Sequence, residues 1–292
     1  MATLRDIRTR IKSVKNTQKI TAAMKLVAAA KLRRAQDAIV QARPYAVELG
    51  GLLRRTATRI DGEAEVAGHP LLREVSETRR VMLVVLTSDR GLCGAFNANV
   101  LRRAEGFVQE WKSTYEKLDV VTVGRKARDH FQKHNLITLR DFPGLFQGLH
   151  FGSAVKLGEM IAKEYVEGDL DAVYVMYSEF HSAMSQEVRL ERILPVVRDE
   201  LPLHSAPQCM YEPSRDDVLN DLAPKYMATL VWRALLESSA SEQGARMTAM
   251  EAASKNAKEM IRKLSLKYNR ARQANITRDL MDIVGGAEAL SS

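Results

Sequence analysis

Cysteine is nearly absent. Cys93 and Cys209 are the only two in 292 residues, too few for a disulfide framework or a cysteine-based structural zinc site, and they fit a reducing compartment. Long hydrophobic runs are missing too: the apolar stretches near Val81 and Val173 fall far short of the roughly 18 uncharged residues a membrane-spanning helix needs. Aromatics make up only 6% of the chain, whereas methionine reaches 12 residues and alanine is plentiful. That balance excludes extended β architecture as the whole answer and favours helices packed through small, flexible side chains. With 46% hydrophobic and 27% charged residues the chain has ordinary globular usage, and its length allows one large domain or two ordinary ones.

The formal charge of +8 is unevenly spread. Residues 1–59 hold 14 basic against 3 acidic side chains, residues 60–214 hold 18 against 23, and residues 215–292 hold 12 against 10. Basicity is therefore an N-terminal property, suited to nucleic acid, an acidic membrane surface or an acidic protein partner. An Arg- and Lys-rich start also suits a transit peptide, but the helical pattern runs on without serine enrichment, so removable targeting is not expected.

From Thr3 to about Leu53 no glycine precedes Gly50, and Leu4, Ile7, Ile11, Val14, Ala28, Leu32, Ala35 and Ile39 recur at helical spacing. This predicts one long helix, with Pro44 as a kink or break. Its middle, Ile20 to Leu32, is apolar or small nearly all round, a pattern that calls for surrounding protein. From Asp216 to Val284 a second long helix is predicted. Ala240, Gln243, Met247, Met250, Ser254, Ala257, Ile261, Leu264, Tyr268 and Ala271 form a heptad seam along it. Antiparallel pairing of the two helices is the simplest closure, with an intermolecular coiled coil as competitor. Three parts result: helix 1–59, a middle domain 60–214, and helix 215–292.

The middle part alternates. Val81–Leu86 reads as a strand, followed by a glycine loop and helix Ala98–Trp111; Leu118–Gly124 is a second strand, followed by helix Arg125–His134. After helix Ser153–Val166 comes the strand in DAVYVMYSEF, and Val188–Val197 can pair with it. A small α/β domain with a largely parallel sheet follows.

Few residues point to chemistry. The loop Gly91-Leu92-Cys93-Gly94 occupies a phosphate-binding place but lacks GxxxxGK[ST] and GxGxxG, so a tight turn is expected instead. Cys93, next to Arg90 and a helix start, is read as a buried hydrophobe rather than an activated thiol. His130 and His134 form an HxxxH pair without the glutamate of HExxH or an obvious third ligand, which reads as a solvated helix face. Asp216 with Asp217 and Glu187 with Glu191 read as surface charge. The stripe of Arg5, Arg8, Lys12, Lys15 and Lys19 suits phosphates, yet no aromatic accompanies it and its neighbouring apolar stripe suits a coiled-coil seam.

Three blocks carry a resemblance: LRDIRTRIKSVKNTQKITAAMKLVAAAKLRRAQ at the start, SDRGLCGAFN in the middle, and SEQGARMTAMEAASKNA through YNRARQANITRDLMDIVGGAEAL at the end. In this order they closely resemble the gamma subunit of F-type ATP synthases, over essentially the whole chain. The resemblance implies an antiparallel coiled coil of the terminal helices, set inside a hexameric collar of alpha and beta subunits. The α/β domain would lie against epsilon and the membrane rotor ring. It implies a shaft that is not itself catalytic, needs no cofactor or metal, binds no nucleic acid, and couples ion-driven rotation to ATP synthesis in its neighbours.

Residue by residue, the resemblance puts Met24, Lys25 and Arg246 against the beta subunits and Arg90 near their lower lever. It puts Arg272, Gln273 and Thr277 at the upper contact, and Tyr211 and Glu212 at the foot on the ring. It also gives Ala28, Ala29 and Ala30 a bearing role, and Arg33 and Arg34 an acidic partner. A paired-cysteine insertion like that of the chloroplast form is not seen, so thiol regulation is not expected. A bacterial chain, peripheral on the cytoplasmic face of the inner membrane, is the expectation.

Overall fold

A computed structural model describes residues 3–58, 70–72, 75, 77–196, 211–212 and 214–291. Ten regular elements follow in chain order: helix α1 (Leu4–Thr58), strand β1 (Arg80–Leu86), α2 (Phe96–Thr114), β2 (Lys117–Val123), α3 (Arg125–Lys133), β3 (Arg140–Phe142), α4 (Phe151–Glu167), β4 (Ala172–Phe180), β5 (Gln186–Leu194) and α5 (Arg215–Ser291). Short 3₁₀ turns lie at Pro70–Leu72 and Leu145–Gly148. Packing divides the chain into two compact units, Met1–Ala28 with Met247–Ser292, and Ala29–Arg246.

In the first unit the helical stretches of α1 and α5 pack by small and aliphatic side chains. Ile7, Thr21 and Ala28 of α1 and Met250 and Ala257 of α5 are buried. The ammonium of Lys25 pairs with the Glu251 carboxylate at 2.9 Å. From Met250 to Ala271 every position of the expected seam is buried or half-buried, while most intervening positions are exposed. Beyond Ala271 all described side chains of α5 are exposed, Ile276, Leu280, Met281, Ile283 and Val284 among them.

In the second unit a five-stranded sheet has the order β3-β2-β1-β4-β5. The first four strands are parallel, and β5 returns antiparallel to β4. Strand β1 lies at the centre with Val81–Leu86 wholly buried, as a parallel strand covered on both faces must be. Its side chains alternate between two cores. Met82, Val84 and Leu86 join α4 and the first part of α5 through Leu157, Ile161, Leu219, Met227 and Leu235. Val81, Leu83 and Val85 join α2 and α3 through Val100, Ala104, Val108 and Phe131. Gly158 lets α4 approach closely: a Cβ there would lie 3.4 Å from the Ala228 backbone. The two long helices run antiparallel in this unit, since Gly50 faces the Tyr226 ring while Lys31 lies near Glu242.

One sequence expectation needs correction. Pro44 does not break α1, and it lies, as Pro224 does in α5, inside a continuous helix. Each proline is exposed, with buried residues close by, Leu49 and Leu53 in α1 and Ala223 and Met227 in α5. Packing of these residues offsets the missing i→i−4 hydrogen bond. The strand β3 was not anticipated, because three residues carry no readable alternation.

Candidate functional site

The loop after β1 lies where the strand order reverses, between the neighbours β2 and β4 that flank β1 on either side. Open α/β sheets bind anionic ligands at such a point, using free N–H groups. Here the chain supplies its own anion. The buried Asp89 carboxylate accepts the backbone N–H groups of Arg125 at 3.0 Å, Gly144 at 2.6 Å and Phe146 at 3.1 Å. The N-terminus of α3 is thus occupied by a side chain from the loop after β1.

The rest of the loop is braced from three sides. Asn97, one residue into α2, accepts the Ser88 N–H at 3.0 Å and donates from Nδ2 to the Cys93 sulfur at 3.1 Å. The Ser88 hydroxyl donates to the Arg90 carbonyl at 2.6 Å. From α5, Arg246 donates to the carbonyls of Arg90 at 3.4 Å and Gly91 at 3.2 Å. Arg246 also pairs with Glu242, one turn before it, at 2.7 Å. Burial pushes the Glu242 carboxyl above its ordinary value, and the Arg246 guanidinium pulls it back. Cys93 is buried, and burial pushes its thiol up, so it is not an activated nucleophile.

The braced loop presents Arg90 and Leu92 on its surface, the latter at φ 65°. Arg246 itself is 9% exposed and turned onto the loop. An i, i+4 partner and two backbone carbonyls of the loop hold it there. In the first unit Met24 and Lys25 are half-buried, Lys25 through its pair with Glu251. Arg272, Gln273 and Thr277 are fully on the surface. Tyr211 is half-buried and Glu212 exposed. Around Met24, the apolar Ile20, Leu26 and Val27 face outward at 60%, 71% and 56% exposure, an unusual cost for a helix with no further cover.

Reasoning from sequence missed Asp89, Asn97 and Glu242. The spacing of Glu242 and Arg246 was readable as a helical pair, but the partners of Asp89 lie 36 to 57 residues away and leave no local trace. Two surface readings also change. Glu191 accepts the Tyr177 hydroxyl at 2.8 Å and pairs with Arg233, so it is more than surface charge. His130 and His134 are not simply solvated: both rings approach Glu105 of α2. No described helix is long and apolar enough to cross a membrane.

The profile of the family described as ATP synthase matches residues 3–290. The chain is 50% identical to the ATP synthase gamma chain of an Anaeromyxobacter species, covering 99% of this chain and 100% of that one. It is 46% identical to the ATP synthase gamma chain of Chlorobium phaeobacteroides, covering 99% of each. Among solved structures it is similar to a chain of the central stalk and c-ring of Tetrahymena thermophila mitochondrial ATP synthase. That match has a TM-score of 0.61 at 26% identity, over 80% of this chain and 99% of the other. A chain of Euglena gracilis mitochondrial ATP synthase shares the fold, with a TM-score of 0.67 at 20% identity over 98% and 94%. Profile, full-length identity and fold agree, and the chain belongs to the ATP synthase gamma-chain family.

Proposed function

We propose that this chain is the central-stalk rotor of an ATP synthase, a non-catalytic shaft that transmits rotation of a membrane ring to catalytic sites in a surrounding alpha and beta collar. The family membership supports this, and the observation that carries it is the exposed apolar surface of α1 around Ile20, Leu26 and Val27. Such a surface calls for a surrounding partner, and the small exposed Ala22, Ala23 and Ala30 beside it keep any one rotational state from becoming a deep trap.

Met24, Lys25, Arg272, Gln273 and Thr277 are the proposed collar contacts in one unit, and Arg90 in the other. Arg246 contributes by holding the loop that presents Arg90. Tyr211 and Glu212 are the proposed foot, facing epsilon and the ring. The functional division into 1–59, 60–214 and 215–292 follows, as does peripheral attachment at the cytoplasmic face of a bacterial inner membrane through the complex. No cofactor is required of the chain itself.

Co-purification with alpha and beta subunits, followed by ATPase assay with and without the chain, tests the reading. One copy per three alpha and three beta subunits, with turnover depending on it, is the expected result. A chain that stays alone, and instead binds nucleic acid with a steep loss at high salt, overturns it.

A further inference from the structure

We propose that Glu105, His130 and His134 form a three-ligand site for a divalent transition ion, with zinc as the best-fitting ion. His130 lies on α3, and His134 follows one turn later, its N–H donating to the His130 carbonyl at 3.1 Å. The helical spacing puts both imidazoles on one side, with ring centroids 4.5 Å apart. Glu105 comes from the neighbouring helix α2. One of its oxygens lies 2.8 Å from His130 Nε2 and 3.7 Å from His134 Nδ1. The three donor atoms lie within 4.8 Å of one another.

Two imidazoles and a carboxylate are the donor set of three-ligand zinc sites, whose bonds of about 2.0–2.2 Å need donors only a little over 3 Å apart. Small rotamer changes in the three side chains reach that spacing. The scaffold beneath is fixed: Ala104 precedes Glu105, Phe131 follows His130, and both are buried in the core between α2, α3 and the sheet. The donors themselves remain 25% to 47% exposed, which gives an ion a path in and leaves a fourth position for water. A bound ion ties α2 to α3. A second group, Glu179, His181 and Glu187, has one imidazole and two carboxylates and is the weaker donor set for zinc.

The test uses the untagged full-length chain, stripped with chelator and titrated calorimetrically with zinc, with magnesium as control. One zinc per chain at micromolar or tighter affinity is expected. Glu105→Gln, His130→Asn and His134→Asn should each weaken it at least about tenfold, and His181→Asn should leave it unchanged. Cobalt should give the visible absorption of a four-coordinate ion, lost in His134→Asn, whose half-exposed side chain leaves the fold intact. Absence of zinc binding overturns the proposal. So does binding that survives all three substitutions, or that is lost in His181→Asn.

Discussion

At Gly124 the backbone leaves no room for a side chain. Its φ is 95°, and a Cβ would meet the Thr87 carbonyl oxygen at 2.1 Å, in the turn that joins β2 to α3. Gly124→Ala should lose at least about 2 kcal/mol of unfolding free energy, measured by denaturant titration. The Glu242–Arg246 pair makes a second prediction. A carboxyl whose folded pKa lies above its unfolded value favours the fold below the unfolded value, and that advantage fades as pH rises through the folded one. Arg246 limits this loss by pulling the Glu242 carboxyl back down. Arg246→Ala should therefore destabilise by about 3–5 kcal/mol where Glu242 is ionised, and by less as pH falls and Glu242 takes up its proton. Denaturant titrations across pH check this; a constant gap would show that Glu242 does not titrate. Restoration of most of the loss in the double variant Glu242→Gln with Arg246→Met would assign the cost to the uncompensated charge.

Along the helices, the inward positions of α1 keep one alternation of three and four residues from Leu4 to Thr56. Small residues in that register set how closely the helices approach. Ala28 is 1% exposed, so Ala28→Leu should overpack the seam and cost about 1–3 kcal/mol. Ala30 is exposed, and Ala30→Leu should leave thermal unfolding unchanged while slowing rotation in the assembled complex. Near the far end of α5, Leu280→Ser should change stability by no more than about 0.5 kcal/mol, because Leu280 is 57% exposed among the described residues. Thermal melts of the three variants separate residues that hold the coiled coil from residues left for a partner. Equal losses in all three would remove the distinction.

For the whole molecule, the decisive property is where charge and apolar surface are placed. The first 59 residues carry most of the excess positive charge, and Arg33 and Arg34 project from α1 into solvent. Reversing both, Arg33→Glu with Arg34→Glu, should leave the unfolding midpoint unchanged. Assembly with alpha and beta subunits should weaken, most at low salt where long-range attraction is least screened. Sedimentation at two ionic strengths measures this. Unaffected assembly would mean that the positive arm faces no acidic partner.

Much of this was legible in the sequence because its causes are local. Helical spacing of apolar residues, a buried strand bounded by glycine, and charge counted by segment need no knowledge of distant residues, so the long helices, the α/β middle and the basic arm could be read directly. The family resemblance rested on contiguous blocks for the same reason. What the sequence could not determine was pairing across distance: that Asp89 fills the anion place at the start of α3, that Arg246 turns inward to brace the loop after β1, and that Glu105 stands beside two histidines on another helix. Pro44 belongs with these, because tertiary packing outweighed its local preference. Local free energies of a few tenths of a kcal/mol to about 3 kcal/mol per residue choose the elements, but which side chains meet is decided only when the sheet and helices bury their faces together.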